Sequence, residues 1–177
     1  MNNGLNYGNA LYALAAEEKI EDRVKEELAQ IKEAIEKNPE FITLLDSPGI
    51  ELDTRLNIVS DCFTGAHEYL LNFIKILTQE RAVHLFNKCI SAYNAQYDVA
   101  HGIEHVTAVT VVPLTDSEKQ KLTCSLQQKR GTKIVLENVI DTSILGGIVL
   151  RFHDSQTDAS LLGRLNKAKD DLKSITI

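Results

Sequence analysis

The 177-residue sequence contains no tryptophan, one methionine, three prolines and three cysteines. The cysteines Cys62, Cys89 and Cys124 are odd in number, far apart and free of CxxC spacing, which argues against a disulfide framework or a cysteine-based zinc site. This usage is typical of reduced thiols in a cytoplasm. We expect all three to be buried, chemically inert side chains.

Long apolar runs and dense basic clusters are also lacking. No run approaches the roughly 20 apolar residues that a membrane-spanning helix needs, and no basic start with an apolar signal core is present, so we expect the chain to stay where it is made. Residues 1–104 carry 9 basic and 17 acidic side chains (−8), whereas residues 105–177 carry 10 and 8 (+2). Neither part offers the basic surface that phosphate binding requires, which argues against nucleic-acid binding.

Helical periodicity dominates the first part of the chain. Val24, Leu28, Ile31 and Ile35 recur at spacings of four, three and four, which predicts an amphipathic helix ending near Pro39. The same reasoning predicts five further helices, over residues 7–15, 41–45, 52–63, 69–77 and 82–100. In the first of these, small alanines would allow a neighbouring helix to approach closely. Six helices with short connections predict a compact bundle.

The pattern changes after Gly102. Residues 106–112 are rich in β-branched side chains and stop at Pro113, which predicts a strand. Thr115 or Asp116 then precedes a helix that ends at Gly131, and residues 133–139 alternate like a half-buried strand. Residues 148–152 predict a third strand, followed by a terminal helix with an apolar stripe. The fold class is therefore α+β: a six-helix bundle over 1–104 and a small α+β domain over 105–177, in the order strand, helix, strand, strand, helix.

The most specific spacing surrounds the last predicted strand. Gly146 and Gly147 allow a tight turn or a close backbone approach. Ser160, or Asp158 just before it, can accept hydrogen bonds from free N–H groups at the start of the terminal helix. The complete signature consists of Asp141, Ile144, Leu145, Gly146, Gly147, Asp158, Ser160, Leu161, Gly163, Arg164 and Leu165.

This signature resembles that of the delta subunit of rotary (F-type) ATP synthases, the counterpart of the mitochondrial oligomycin-sensitivity-conferring protein. Four other segments resemble the same family, in the same order: Tyr7 with Ala10 and Leu11, residues 44–50 around Pro48, residues 72–77, and residues 106–114. The resemblance therefore extends over nearly the whole chain.

The sequence departs from the family pattern near the last strand. The family usually has a proline near Thr142, a glycine at the place of Ala159, and apolar residues where Gln156 and Thr157 stand. These departures concern the end of the last strand and its hairpin. Arg151 and Arg164 of this region are either ordinary solvated charges, or one of them pairs with Asp141 or Asp158 of the signature.

The resemblance implies a non-catalytic stator subunit without metal or cofactor. Such a subunit holds the catalytic head still against the membrane sector, so that rotation driven by hydrogen-ion transport is coupled to ATP synthesis. In the family, a groove between the first and fifth helices receives an amphipathic N-terminal helix of an alpha subunit, and the C-terminal domain meets the b subunits. The implied location is peripheral, at the cytoplasmic face of the bacterial cell membrane, with membrane association only through the complex.

The residues themselves also indicate a groove. The predicted fifth helix carries more apolar side chains than one buried stripe needs, and the first adds a stripe beside its alanines. We predict that the groove is lined by Tyr7, Ala10, Leu11, Leu14, Leu70, Phe73, Ile74 and Leu77. The alternative is that these stripes belong to the core. The −8 charge favours a partner helix with basic flanks.

Other functions have weaker signals. Residues 101–105 match the HxxEH motif of inverted zinc peptidases, which needs both histidines on one helix, but Gly102 and the expected strand interrupt it. No cysteine has the local signature of a nucleophile, and the Gly146 and Gly147 pair lacks the lysine and hydroxyl residue of a P-loop. A generic helical adaptor would explain the bundle but not the C-terminal signature.

Overall fold

The computed structural model describes residues 3–152, 155–161, 163 and 165, and the chain divides into two compact units between Asp98 and Val99. The elements in chain order are α1 (Asn3–Glu17), α2 (Glu21–Lys37), α3 (Glu40–Asp46), α4 (Leu52–Cys62), α5 (Glu68–Gln79), a 3₁₀ turn (Val83–Leu85), α6 (Phe86–Ala100), β1 (Ile103–Thr110), α7 (Asp116–Arg130), β2 (Lys133–Ile140), β3 (Ile148–Arg151) and β4 (Gln156–Asp158). The predicted α+β class is confirmed. Within the described residues, no helix combines the length and apolar character needed to cross a membrane.

Helix α2 follows the predicted pattern. Its buried residues are Val24, Leu28, Ile31 and Ile35, and it ends at Lys37, as the following Asn38 and Pro39 indicate. The predicted sixth helix instead begins with a 3₁₀ turn. The carboxylate of Asp46 accepts hydrogen bonds from the N–H groups of the first two residues of that turn (3.0 and 3.1 Å), which satisfies donors that a helix start leaves free.

One apolar core occupies the first unit. Its buried members come from α1 to α6, and the largest fully buried ones include Leu28, Leu45, Leu70, Phe86 and Tyr93. The hydroxyl of Tyr93 donates to the carbonyl of Glu21 (2.8 Å), so the polar end of this large side chain is satisfied. Large side chains from distant parts of the chain therefore hold the unit together.

Helix α1 meets α6 through glycine. A Cβ at Gly8 would lie 2.2 Å from the carbonyl oxygen of Cys89 and 2.7 Å from Cβ of Ala92, and one at Gly4 would lie 3.0 Å from Cβ of Lys88. Real Cβ atoms do not approach other atoms to less than 3.0 Å, so the helices come this close only because Gly8 lacks a side chain, whereas a Cβ at Gly4 would make a tight contact. These two glycines were not identified from the sequence, where the small alanines of α1 were expected to allow a close neighbour; of those, Ala15 is buried in the core.

The second unit is built around a four-stranded sheet in the order β2-β1-β3-β4. β1 and β2 are parallel and are connected through α7, whereas β3 is antiparallel to both β1 and β4. The small core consists of Val106, Ala108, Leu126, Ile134 and Leu150. Ile134 is buried while its neighbours are exposed, which agrees with the alternation predicted for this strand.

Strand β4 was missed by the sequence analysis, which placed the terminal helix directly after β3. Its residues Gln156, Thr157 and Asp158 are polar and exposed, so no apolar alternation marks them. The strand exists because its backbone pairs with Val149–Arg151. After it, the backbone is helical at Leu161, Gly163 and Leu165. Arg164 and residues 166–177, over which the terminal helix was predicted to continue, lie outside the described residues.

Two cysteines are not where the sequence analysis expected them. Cys62 and Cys124 are exposed, and only Cys89 is buried. Cys62 ends α4, and Cys124 lies two residues before the buried Leu126 of α7, on roughly the opposite face of that helix. Burial raises the pKa of the Cys89 thiol to about 11.

Candidate functional site

Most of the predicted groove residues belong to the core. Five of the eight are at most 6% exposed: Leu11, Leu70, Phe73, Ile74 and Leu77. Tyr7 is half-buried, Ala10 is exposed, and Leu14 is 48% exposed. For the five buried residues the structure places the side chains in the core, and a partner contact for Tyr7, Ala10 and Leu14 stays a prediction.

The three accessible residues lie on one flank of α1. The buried stripe of this helix runs through Gly8, Leu11 and Ala15. On one side of the stripe, the ring of Tyr12 packs edge-on against Tyr93 of α6, with centroids 5.4 Å apart. At 3.6 residues per turn, Tyr7, Ala10 and Leu14 fall on the other side. That flank therefore points away from α6.

Helix α5 is a neighbour of α1. α1 and α5 are in contact, and the phenol of Tyr69 at the start of α5 donates to Glu18, just after the end of α1 (3.3 Å). The start of α5 therefore lies near the end of α1. Ile76 lies seven residues after Tyr69, almost two full turns, so it occupies the same flank of α5, and it is 46% exposed.

We call Tyr7, Ala10, Leu14 and Ile76 the α1–α5 seam. Ile76 was absent from the predicted groove, although it belongs to the surplus of apolar residues that indicated one. Periodicity finds such a surplus but does not tell which member stays outside the core, because that depends on the neighbouring helices.

The end of the seam near Tyr69 is acidic. The negative charge of Glu18 is the main cause that raises the pKa of the Tyr69 phenol, and Glu68 and Glu17 add smaller effects in the same direction. A cationic group bound here would meet an attractive potential. An apolar strip with an acidic end is suited to an amphipathic helix that carries basic residues.

The paired glycines of the signature make a close backbone approach. Gly147 has φ +85°, and a Cβ there would lie 2.7 Å from the carbonyl oxygen of Ala159. Two backbone hydrogen bonds close the turn, from Ala159 to the carbonyl of Ile148 and from Leu161 to that of Gly146, both 3.0 Å. Both roles predicted for the glycines, tight turn and close approach, are thus present at this position.

Asp158 and Ser160 both act as caps. Asp158 accepts from the N–H of Ser160 (2.8 Å), and the buried hydroxyl of Ser160 accepts from the N–H of Gly163 (3.0 Å). Hydrogen bonding from Ser160 lowers the pKa of Asp158. A Cβ at Gly163 would lie 2.7 Å from the Asp158 carboxylate, so the glycine makes room for the cap.

Asp141 organises the other end of the turn. Its carboxylate accepts from the N–H of Ser143 (2.9 Å). Hydrogen bonding with Ser143 lowers the pKa of Asp141, and the charge of Arg151 adds a smaller effect in the same direction. Arg164, which the sequence analysis grouped with these residues, lies outside the described residues.

The leucines of the signature are exposed rather than buried. Leu145, Leu161 and Leu165 are 71%, 51% and 64% exposed. Leu145 directly precedes Gly146, and a Cβ at Gly146 would lie 3.0 Å from Cδ1 of Leu161, so these two leucines flank the glycine turn, and Leu165 follows four residues after Leu161. We call these three residues the leucine patch.

The motif shared with zinc peptidases does not form a helix. α6 ends at Ala100, Gly102 has φ +59°, and residues 103–105 belong to β1. The two histidines therefore do not lie one turn apart on a helix, as that site requires. In the described part of the chain, no group of three His, Cys, Asp or Glu side chains is placed to hold a metal. The glycine pair precedes β3 and not a helix, unlike a P-loop.

Comparison with known proteins places these features in a family. The family model of the ATP synthase delta (OSCP) subunit matches residues 5–172. The chain is 31% identical over 167 residues to the ATP synthase subunit delta of Leuconostoc citreum, covering 94% of this chain and 93% of that protein. It is 30% identical over 172 residues to the ATP synthase subunit delta of Alkaliphilus oremlandii, covering 97% and 96%.

A solved structure shares the fold. A chain of the cryo-EM structure of the Toxoplasma gondii mitochondrial ATP synthase hexamer superimposes with a TM-score of 0.70 at 19% identity, and the match covers 96% of both chains. The family found by these comparisons is the one that the sequence resembles, so that resemblance is confirmed.

Proposed function

Because this chain belongs to the ATP synthase delta (OSCP) subunit family, we propose that its α1–α5 seam binds an amphipathic N-terminal helix of an alpha subunit. The protein is a non-catalytic subunit of the peripheral stalk of the F-type ATP synthase, linking the catalytic head to the membrane sector. Its task is mechanical: rotation is coupled to ATP synthesis only if the head is held still. A firm contact with the head is therefore required of one of its surfaces.

The observation that carries this proposal is the exposure of Leu14 and Ile76. Both lie on helices that already bury a complete apolar stripe, so the core does not need them. Tyr7 and Leu14 are seven residues apart and present the i, i+7 spacing to which a second helix packs. The acidic end of the seam supports a partner helix with basic residues.

Leu14→Asp tests this proposal. We expect the affinity for a synthetic alpha-subunit N-terminal peptide, measured by titration calorimetry, to fall about tenfold or more. The reason is that an apolar side chain, which the bound peptide would bury, is replaced by a charge. Leu5→Asp is the matched control: Leu5 is 40% exposed on the same helix but nine residues from Leu14, on the opposite flank. Equal affinity of the Leu14→Asp variant and the wild type would place the binding surface elsewhere.

For the second unit, the proposal is that it meets the ends of the b subunits. The leucine patch supports this, since three exposed leucines around one turn are unusual on a surface without a partner. The helices of the first unit then act as a six-helix bundle over 1–104 that contacts the head, and residues 105–177 contact the stalk. The resulting location is the cytoplasmic face of the bacterial cell membrane, reached through the complex.

A further inference from the structure

The sheet of the second unit has two edges that differ in character. The β4 edge is three residues long, polar and exposed. The β2 edge is eight residues long, pairs with β1 one residue to one from Lys133 to Ile140, and contains neither a bulge nor a proline. Soluble proteins usually shorten, bulge or charge an edge strand, because its free backbone groups recruit other strands. β4 is protected by its shortness, whereas β2 is long and regular and carries only the charges of Lys133 and Glu137.

Two hydrogen bonds fix which backbone groups of β2 point outward. Lys133 donates to the carbonyl of Gly102 (2.8 Å), and Asp141 donates to that of Thr110 (2.9 Å). Because the backbone groups of a strand alternate between its two sides, the odd-numbered residues face β1. The even-numbered residues 134, 136, 138 and 140 therefore direct their N–H and C=O groups away from the sheet. Within the described residues, no backbone hydrogen bond reaches these groups.

The side chains of β2 indicate what kind of strand could pair with its free edge. Val135 and Val139 are each 41% exposed on the face opposite the buried Ile134, and the exposed Glu137 lies between them. A strand added to β2 would place its own side chains next to these three. Apolar residues would cover the valines, and a basic residue would pair with the glutamate.

We propose that the β2 edge binds an extended segment of a different polypeptide, which adds a strand to the sheet and carries a basic residue flanked at alternate positions by apolar ones. A helix does not match this edge, because its backbone groups are already bonded internally. A second copy of this chain matches it poorly. In the antiparallel register that pairs the outward-facing residues of two β2 strands over 134–140, Glu137 lies opposite the same residue of the other copy, and like charges directly opposite are destabilising.

The inference rests on the proposed function in one respect: the partner used to test it is the soluble portion of the cognate b subunits. Amide hydrogen exchange of the full chain is measured by NMR, with and without that partner. We expect exchange at Ile134, Leu136, Asn138 and Ile140 to slow about tenfold or more on binding, since their N–H groups acquire acceptors. The N–H groups of the odd-numbered residues are bonded to β1 already and should change less.

A pair of variants at one position gives a second measurement. Ile140→Pro removes an outward N–H without removing a bond to β1, whereas Ile140→Thr keeps the N–H. We expect the proline variant to bind the b subunits about tenfold more weakly and the threonine variant to bind within about twofold of the wild type. If the proline variant does not fold, the exchange pattern of the wild type decides.

The outcomes separate the two proposals. If the b subunits bind without protecting the even-numbered residues, and the two variants bind equally, the β2 edge is not their site while the stalk assignment stands. If the b subunits do not bind the wild type at all, the stalk assignment is wrong and this partner for the β2 edge fails with it. Protection of the even-numbered residues together with dimer formation, in the absence of b subunits, would overturn the choice of a different polypeptide.

Discussion

Each of the two units of this protein is stabilised internally in a different way. The first unit buries large apolar side chains from α1 to α6 in one core, whereas the second buries only a small cluster beside its sheet. The second unit compensates with specific turns and caps, at Thr115, Gly147 and Ser160. The stability of the first unit should therefore be sensitive to changes in side-chain volume, and that of the second unit to changes in backbone conformation.

A charged residue is buried beside the core of the first unit. Arg55 is 3% exposed, and its guanidinium donates to the carbonyls of Leu45 and Thr78 at 2.8 and 2.9 Å. These carbonyls lie in the last turns of α3 and α5, where backbone acceptors lack partners within the helix. The arginine therefore joins two helix ends. The sequence analysis did not identify it, since an arginine is ordinarily read as a surface residue.

The largest expected effect is that of Gly8→Ala. The added Cβ would overlap the backbone of α6, so we expect the free energy of unfolding of the first unit to fall by about 3 kcal/mol. All five tyrosines lie in this unit and the chain has no tryptophan, so tyrosine fluorescence in urea reports on this unit alone. Gly65→Ala is the control, because a Cβ at Gly65 meets nothing within 4 Å. Equal stability of the two variants would contradict the close approach of α1 and α6.

Gly147→Ala should have the next largest effect, and in the second unit. We expect a loss of about 2 kcal/mol or more, from the positive φ and from the overlap with Ala159. Gly131→Ala separates these causes, because Gly131 has φ +69° but no atom would lie within 4 Å of an added Cβ. For this variant only the conformational cost of about 1 kcal/mol applies. The measurement is urea unfolding followed by circular dichroism, with tyrosine fluorescence unchanged. Identical losses for both variants would show that the approach of the two backbone segments contributes nothing.

Thr115→Ala should have a smaller effect. The threonine hydroxyl accepts from the N–H of Glu118, whose carboxylate in turn accepts from the backbone N–H of Thr115 (2.9 Å). Loss of this cap should lower the stability of the second unit by about 1 kcal/mol. Ser125→Ala, in the middle of the same helix, is the control and should not destabilise.

The cap also predicts a pH dependence. Hydrogen bonding with Thr115 lowers the pKa of Glu118, so this contribution to stability is present above the ordinary carboxyl range and is lost as the pH falls through the lowered pKa. The difference between the wild type and Thr115→Ala should therefore shrink at acidic pH. A difference that stays constant down to about pH 2 would show that the ionised carboxylate is not part of the cap.

The mildest test leaves the sequence unchanged. At pH 8, iodoacetamide should modify Cys62 and Cys124, whereas burial and a pKa of about 11 should protect Cys89. Mass spectrometry of the native protein should therefore show two modified thiols, and three in urea. Rapid native modification of Cys89 would indicate that the core of the first unit opens more readily than its packing suggests.

The candidate site was only partly predictable. Tyr7 and Leu14 were identified from the sequence and lie on the accessible flank of α1, but Leu11 and Ile74 from the same set are core residues. Ile76, which completes the seam, was left out. Periodicity identifies an apolar side chain equally well on either flank of a helix, because it carries no information about which flank a neighbour covers.

Local patterns in the sequence were sufficient to predict the helices of the first unit, the strands β1 to β3, the start and stop of α7, and the family. These features depend on local periodicity, on caps such as Thr115 and on breakers such as Gly131, which act over a few residues. Four features became known only from the tertiary structure: Gly8 contacts α6, Arg55 is buried, β4 is formed and two cysteines are exposed. Burial and strand pairing depend on contacts with residues far away in the chain, and a local sequence pattern does not specify those contacts.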